Sequence, residues 1–236
     1  MLRTTLLARR PSSRPAGIGS QSLTSLRAGF TLIELLAAML ILGILMAFLL
    51  PQIPAAIDQA KVTACKANLN KIGQGMVAFR ARYDGYPKNG GVAFFADLVA
   101  REVWDATEQD SKKLTCPGVE DNVLTPYLED IPRSEWYIDK NRLGPDWSTY
   151  AGRDIKEFPI RSATQKNIGR EALVADDNDG GGNHRTTTCV LYGDYSVGTV
   201  EIVEERELGN ATKEDDFVVV GPDAWREDLR KLSISK

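Results

Sequence analysis

Hydrophobic and polar positions divide the 236-residue chain into stretches of different period. From Phe30 to Leu50, only Thr31 and Glu34 among twenty-one residues carry polar side chains. A helix of that length, at about 1.5 Å per residue, spans the roughly 30 Å apolar slab of a bilayer. Pro51 and Pro54 then each remove a backbone donor, which predicts a kink or a loosened stretch. Beyond them Val62, Cys65, Leu69, Ile72, Met76, Phe79 and Tyr83 recur at alternating spacings of three and four, while Asp58, Lys61, Lys66, Asn70, Lys71 and Arg80 fall on other faces. This is an amphipathic helix with one apolar stripe, and a globular region behind it supplies the sheet that the stripe covers. Gly73 and Gly75 weaken it locally.

The turn-rich cluster Asp84 to Gly91 ends that helix, and Val92 to Trp104 predicts a short amphipathic one. Residues 105 to 150 are polar and interrupted by proline, which predicts long loops and short strands. In the last third, Ala172 to Ala175, Thr188 to Tyr192, Ser196 to Val203 and Phe217 to Val220 are rich in β-branched and aromatic residues between Asp, Asn and Gly clusters. They predict antiparallel hairpins. The final dozen residues are charged and predict a short helix or a loose end.

Charge adds a direction. Residues 1 to 29 hold five arginines (Arg3, Arg9, Arg10, Arg14, Arg27) and no acid, which marks a basic leader whose flank stays on the cytoplasmic side. Taking those five from 29 basic residues leaves 24 against 32 acidic ones, a formal charge of −8 for residues 30 to 236. An acidic exposed part argues against a nucleic-acid partner. Small residues Ala28-Gly29 lie before the apolar run rather than after it, so a cut after Gly29 keeps the apolar segment in the chain. Glu34 then stands alone among hydrocarbon, a position that calls for a pairing cation or a function.

Gly29 followed by Phe30-Thr31-Leu32-Ile33-Glu34-Leu35-Leu36 closely resembles the N-terminus of type IV pilins and the pseudopilins of type II secretion. The resemblance implies a prepilin peptidase that cuts between Gly29 and Phe30 and methylates the new amine of Phe30. It implies further that Glu34 meets the N-terminal ammonium of a neighbouring subunit, two groups costly to leave alone in a low dielectric being joined by assembly. Tyr86-Pro87 adds modest support. A second resemblance lies near the other end: His184, nine residues and Asp194 are similar to the C-terminal His-x9-Asp-Gly signature of a pilin-like family abundant in planctomycetes, with Tyr195 in place of the glycine. Gly193 is placed to supply the backbone freedom that the missing glycine would give the turn. "LTCPG" at 114 to 118 and "STYAGRDI" at 148 to 155 resemble that group's Cys-Pro element and middle strand.

Candidate chemistry in the head is sparse. His184 is the sole histidine, without a nucleophile motif or a second histidine for a metal pair, so an enzyme is not expected. Asp176, Asp177 and Asp179 in "DDNDGGGNH" are hard oxygen donors suited to calcium, although the spacing lacks an EF-hand register and serves a tight turn equally well. Cys65 lies on the helix stripe as a small apolar group, while Cys116 and Cys189 are the pair a disulfide would join.

The sequence therefore predicts an α+β pilin-like chain: residues 1–29 a basic leader, 30–54 the transmembrane half of the N-terminal helix, 55–83 its amphipathic half and 84–236 an α+β head with an antiparallel sheet. The resemblance implies an inner-membrane protein with its head in the periplasm, possible display in a surface filament, and as partners prepilin peptidase, other pilin or pseudopilin subunits, an assembly platform and membrane lipid. The alternative is an uncleaved signal-anchored envelope protein with a ligand-binding head.

Overall fold

The apolar run and the stripe that follows it become two successive α-helices. In the computed structural model, which describes residues 29–120, 123–124, 130–160, 168–178 and 181–234, α1 spans Leu32–Leu49 and α2 spans Ile53–Tyr83. The expected leader lies, up to Ala28, outside the described residues. Between the helices the pattern changes to a 3-10 turn at Leu50–Gln52, the loosened stretch that the two prolines predict. Pro54 falls in the first turn of α2, where no intrahelical partner for its missing N–H is needed. The chain divides after Leu49 into two units.

In the first unit, none of the 18 residues of α1 is buried. An apolar helix exposed all round is stable only where lipid or other protein surrounds it.

In the second unit, the stripe buries as the spacing predicts: Val62, Cys65, Leu69, Ile72, Met76 and Phe79 are all inside, and Tyr83 is partly exposed at the end of α2. Asp84 stops the helix in the left-handed conformation, its N–H donating to Arg80 O. Gly73 and Gly75 are also buried, and a Cβ on Gly75 would come within 2.8 Å of Leu98 and 3.0 Å of the Trp104 ring. They lower helix propensity in exchange for close contact. The next helix, α3, runs Val92–Ala100, shorter than the stretch to Trp104 predicts. Between 105 and 149 the described residues form short helices rather than strands: α4 at Glu108–Lys113, capped by Thr107, and 3-10 turns at Arg133–Glu135 and Pro145–Trp147.

The sheet has five strands, β1 Tyr150–Arg153, β2 Ala172–Asp176, β3 Thr187–Tyr192, β4 Val197–Glu201 and β5 Leu232–Ser233, in the order β4-β3-β2-β1-β5 with every pairing antiparallel. The α+β class is as the sequence predicts; several boundaries are not. The strand expected through Val203 stops at Glu201, where α5 (Ile202–Glu207) begins. Phe217 to Val220 does not pair as a strand. Its Val218 packs with Ala224, Leu229 and Leu232 on the sheet face opposite α2, beside Ala151, Ala175 and Val190. Both faces of the sheet are thus covered, α2 and α3 on one and the C-terminal segment on the other, and the inner strands lose the alternation of a half-exposed sheet.

The β3–β4 hairpin corrects one expectation. Tyr195, not Gly193, takes the positive φ, at 66°. The loop of Gly193, Asp194 and Tyr195 is closed by Tyr195 N to Tyr192 O at 2.9 Å, with Asp194 Oδ1 accepting from the Ser196 N–H and hydroxyl. The strain at Tyr195 is offset by its hydroxyl, which accepts from Arg80 at 2.7 Å and lies 3.1 Å from the Tyr86 hydroxyl. Gly193 has another reason to lack a side chain: a Cβ there would collide with Ile168 O.

Candidate functional site

Two groups of residues carry chemistry, one in each unit. At the start of α1, the Thr31 N–H and hydroxyl both donate to Glu34 Oε2, at 2.8 and 2.9 Å, and the Glu34 N–H donates to Thr31 Oγ1 at 3.3 Å. The Leu35 N–H reaches Thr31 O at 3.2 Å. This is a capping box, Thr at the N-cap and Glu three residues on, each side chain satisfying a backbone donor of the first turn. Glu34 therefore has a local partner in the single chain, and its carboxylate reaches back to the backbone N–H that follows Phe30. The Thr-x-x-Glu spacing is a helix-start signal legible in the sequence beside the isolation of Glu34 in its apolar run. Gly29 and Phe30 precede the helix, with Phe30 almost fully exposed.

The second group lies between α2 and the sheet. Asp176 at the end of β2 is fully buried, and its Oδ2 accepts from the Cys189 N–H at 2.7 Å. Its Oδ1 accepts from the Cys65 thiol at 3.3 Å and from Asn183 Nδ2 at 3.4 Å. His184 Nε2 is 3.8 Å from Asp176 Oδ2 and 3.3 Å from Cys116 Sγ. Cys65 also lies 3.4 Å from the buried Tyr150 hydroxyl. α2 supplies Cys65, β2 and β3 supply Asp176 and Cys189, and the 115–118 loop, tied to α2 by Lys61 Nζ to Gly118 O and Asn68 Nδ2 to Thr115 O, supplies Cys116.

Proton affinities in this space are shifted in opposite directions. Burial pushes the Cys65 thiol well up, with the neighbouring thiols and Asp176 adding to it. The Cys189 thiol is held below its ordinary value by its bond to Cys65 and, against burial, by His184. Burial opposes protonation of His184, but Cys116, Cys189 and Asp176 outweigh it and push its pKa up to about 10.

The residues singled out in the sequence are thus regrouped. Asp176 is turned inward among thiols, Asp177 is half-buried with its N–H donating to Thr149 O, and Asp179 lies outside the described residues. The described residues lend no support to a calcium loop on these three acids. Cys116 and Cys189 are free buried thiols, as is Cys65, so the bridge favoured from the sequence is not formed. No spacing in the sequence joins Cys65 to this group, because 111 residues separate it from Asp176.

Residues 24–50 match the family model for the prokaryotic N-terminal methylation motif. With the apolar helix and the α+β body behind it, this supports a type IV pilin-like protein. The chain is similar to the type II secretion system core protein G of Pseudomonas aeruginosa, 39% identical over 61 residues that make up 26% of this chain and 43% of that protein. The chain thus spans less than half the length of that relative. No solved structure matches it significantly.

Proposed function

We propose that this chain is a subunit of a membrane-anchored filament of the secretion-pseudopilin or type IV pilin kind. Its precursor would be cut by a prepilin peptidase between Gly29 and Phe30 and methylated on the new amine. The observation that carries the reading is the methylation motif over residues 24–50, joined to an apolar helix that buries none of its own residues in the chain. Such a helix anchors the subunit in the inner membrane with the head in the periplasm, and other subunits with their assembly platform take the place of lipid around it once a filament forms. The likeness to a type II secretion core protein favours the secretion class over a surface pilus.

The capping box gives this reading a mechanism. In the lone subunit Thr31 satisfies Glu34 and holds its carboxylate at the helix start. Cleavage would create an ammonium at Phe30, and a neighbour's ammonium is the stronger partner for a carboxylate in a dry environment. Exchange of a local neutral partner for an intermolecular charged one selects a single stagger between subunits. The role is structural, and no catalytic step is assigned to the head.

Assembly of the Glu34→Gln chain in its native cell tests this. Gln at this position preserves a capping box and removes the charge. The processed variant should enter filaments about tenfold less than the native chain, equivalent to about 1.4 kcal/mol per contact, while remaining in the membrane. Equal incorporation would overturn the role given to Glu34.

A further inference from the structure

We infer that Cys65, Asp176, His184 and Cys189 form a buried site for one zinc-class divalent cation, with Cys116 flanking it. One ligand atom from each of the four residues lies within 4.8 Å of the others, and all four residues are buried. Four ligands around a tetrahedral zinc lie about 3.3 to 3.8 Å apart, and the Cys65 Sγ to Asp176 Oδ1 and His184 Nε2 to Asp176 Oδ2 separations are 3.3 and 3.8 Å. Two thiols, an imidazole and a carboxylate form a donor set that suits zinc and does not suit calcium or magnesium.

The surroundings point to a ligand independently of these spacings. His184 is aimed at the cluster through Nε2, while its buried Nδ1 has no hydrogen-bond partner. Asp58 Oδ1 lies 3.8 Å from that nitrogen, and the Asp58 carboxylate is held by the Arg185 N–H. Metal-bound histidines commonly direct their second nitrogen at a carboxylate in this way, and a small contraction on loading would close the bond. The Gly118 N–H donates to Cys116 Sγ at 3.3 Å, and a Cβ on Gly118 would collide with Asn183 O. His184, 3.8 Å away, is the basic side chain that faces the Asp176 carboxylate, and both would be ligands of the same ion. Asp58, Lys61, Gly118 and His184 line one surface recess, which gives an ion a route in.

A metal here would join α2 to β2, β3 and the loop that carries His184, and a bound ion would hold Cys65 and Cys189 as thiolate ligands. The inference stands apart from the filament reading.

The test is made on the full chain extracted in detergent without added metal. Elemental analysis should find about one zinc per chain. After removal of metal under reducing conditions, cobalt(II) should restore the thiolate-to-cobalt charge-transfer bands and the visible bands of a tetrahedral site. Cys65→Ser with Cys189→Ser should lose about tenfold or more in zinc content. Because that variant can fail to fold, the native chain is decisive. Absence of both zinc and cobalt bands from a chain with three free thiols overturns the site. So does a disulfide between any two of the three cysteines in freshly extracted protein.

Discussion

At the residue scale, Thr31 and Glu34 show how one carboxylate serves two environments. The sequence made Glu34 conspicuous through its isolation in an apolar run, and the structure adds that it closes a capping box with Thr31. The Glu34→Gln variant separates charge from capping; Glu34→Ala removes both, and should also fray the first turn, at a cost of about 1 kcal/mol, detectable as faster amide exchange at Glu34 and Leu35. Glu171 offers a pH-dependent test. Burial alone would raise its pKa, but bonds from Lys231 at 3.0 Å and Arg153 at 2.8 Å hold it below the ordinary glutamate value. A depressed carboxylate contributes stability above its unfolded pKa, and the contribution is lost as pH falls through the folded value. Thermal melting should therefore find the native chain losing stability below about pH 4.3 more steeply than Glu171→Gln does. At neutral pH the variant should be less stable by about 1–3 kcal/mol, because the buried Arg153 loses its charged partner and keeps only the Phe158 and Ala172 carbonyls.

At the scale of elements, the sequence was most legible where a period persisted. The stripe from Val62 to Phe79 and the strands around Val174, Val190 and Val200 fall where pattern places them. Short apolar runs misled. Phe217 to Val220 is as β-rich as any strand, yet its valine covers the sheet instead of joining it, and β5 at Leu232–Ser233 is too short to show a pattern. The glycines in α2 are legible only with their neighbours known. Gly75→Ala would gain about 1 kcal/mol in an exposed helix, but here the methyl meets Leu98 and Trp104, so denaturation should show a net loss of about 1–3 kcal/mol. Tyr195→Phe keeps the turn and removes the hydroxyl that meets Arg80 and Tyr86, with a loss of about 1 kcal/mol in the same measurement.

At the scale of the whole molecule, the N-terminal motif and the thiol cluster differ in kind. The N-terminal motif is local, a string of neighbours whose order carries the meaning, and it was readable without a fold. The thiol cluster is assembled by the fold from α2, β2, β3 and two loops, and no spacing in the sequence announces it. The membrane-anchored filament subunit is the central claim, and it rests on processing at one peptide bond. The most direct measurement is the mass and N-terminal residue of the chain isolated from the membranes of its native cell. That chain should begin at Phe30 with a methylated amine. An intact basic leader, or a cut at another bond, would contradict it.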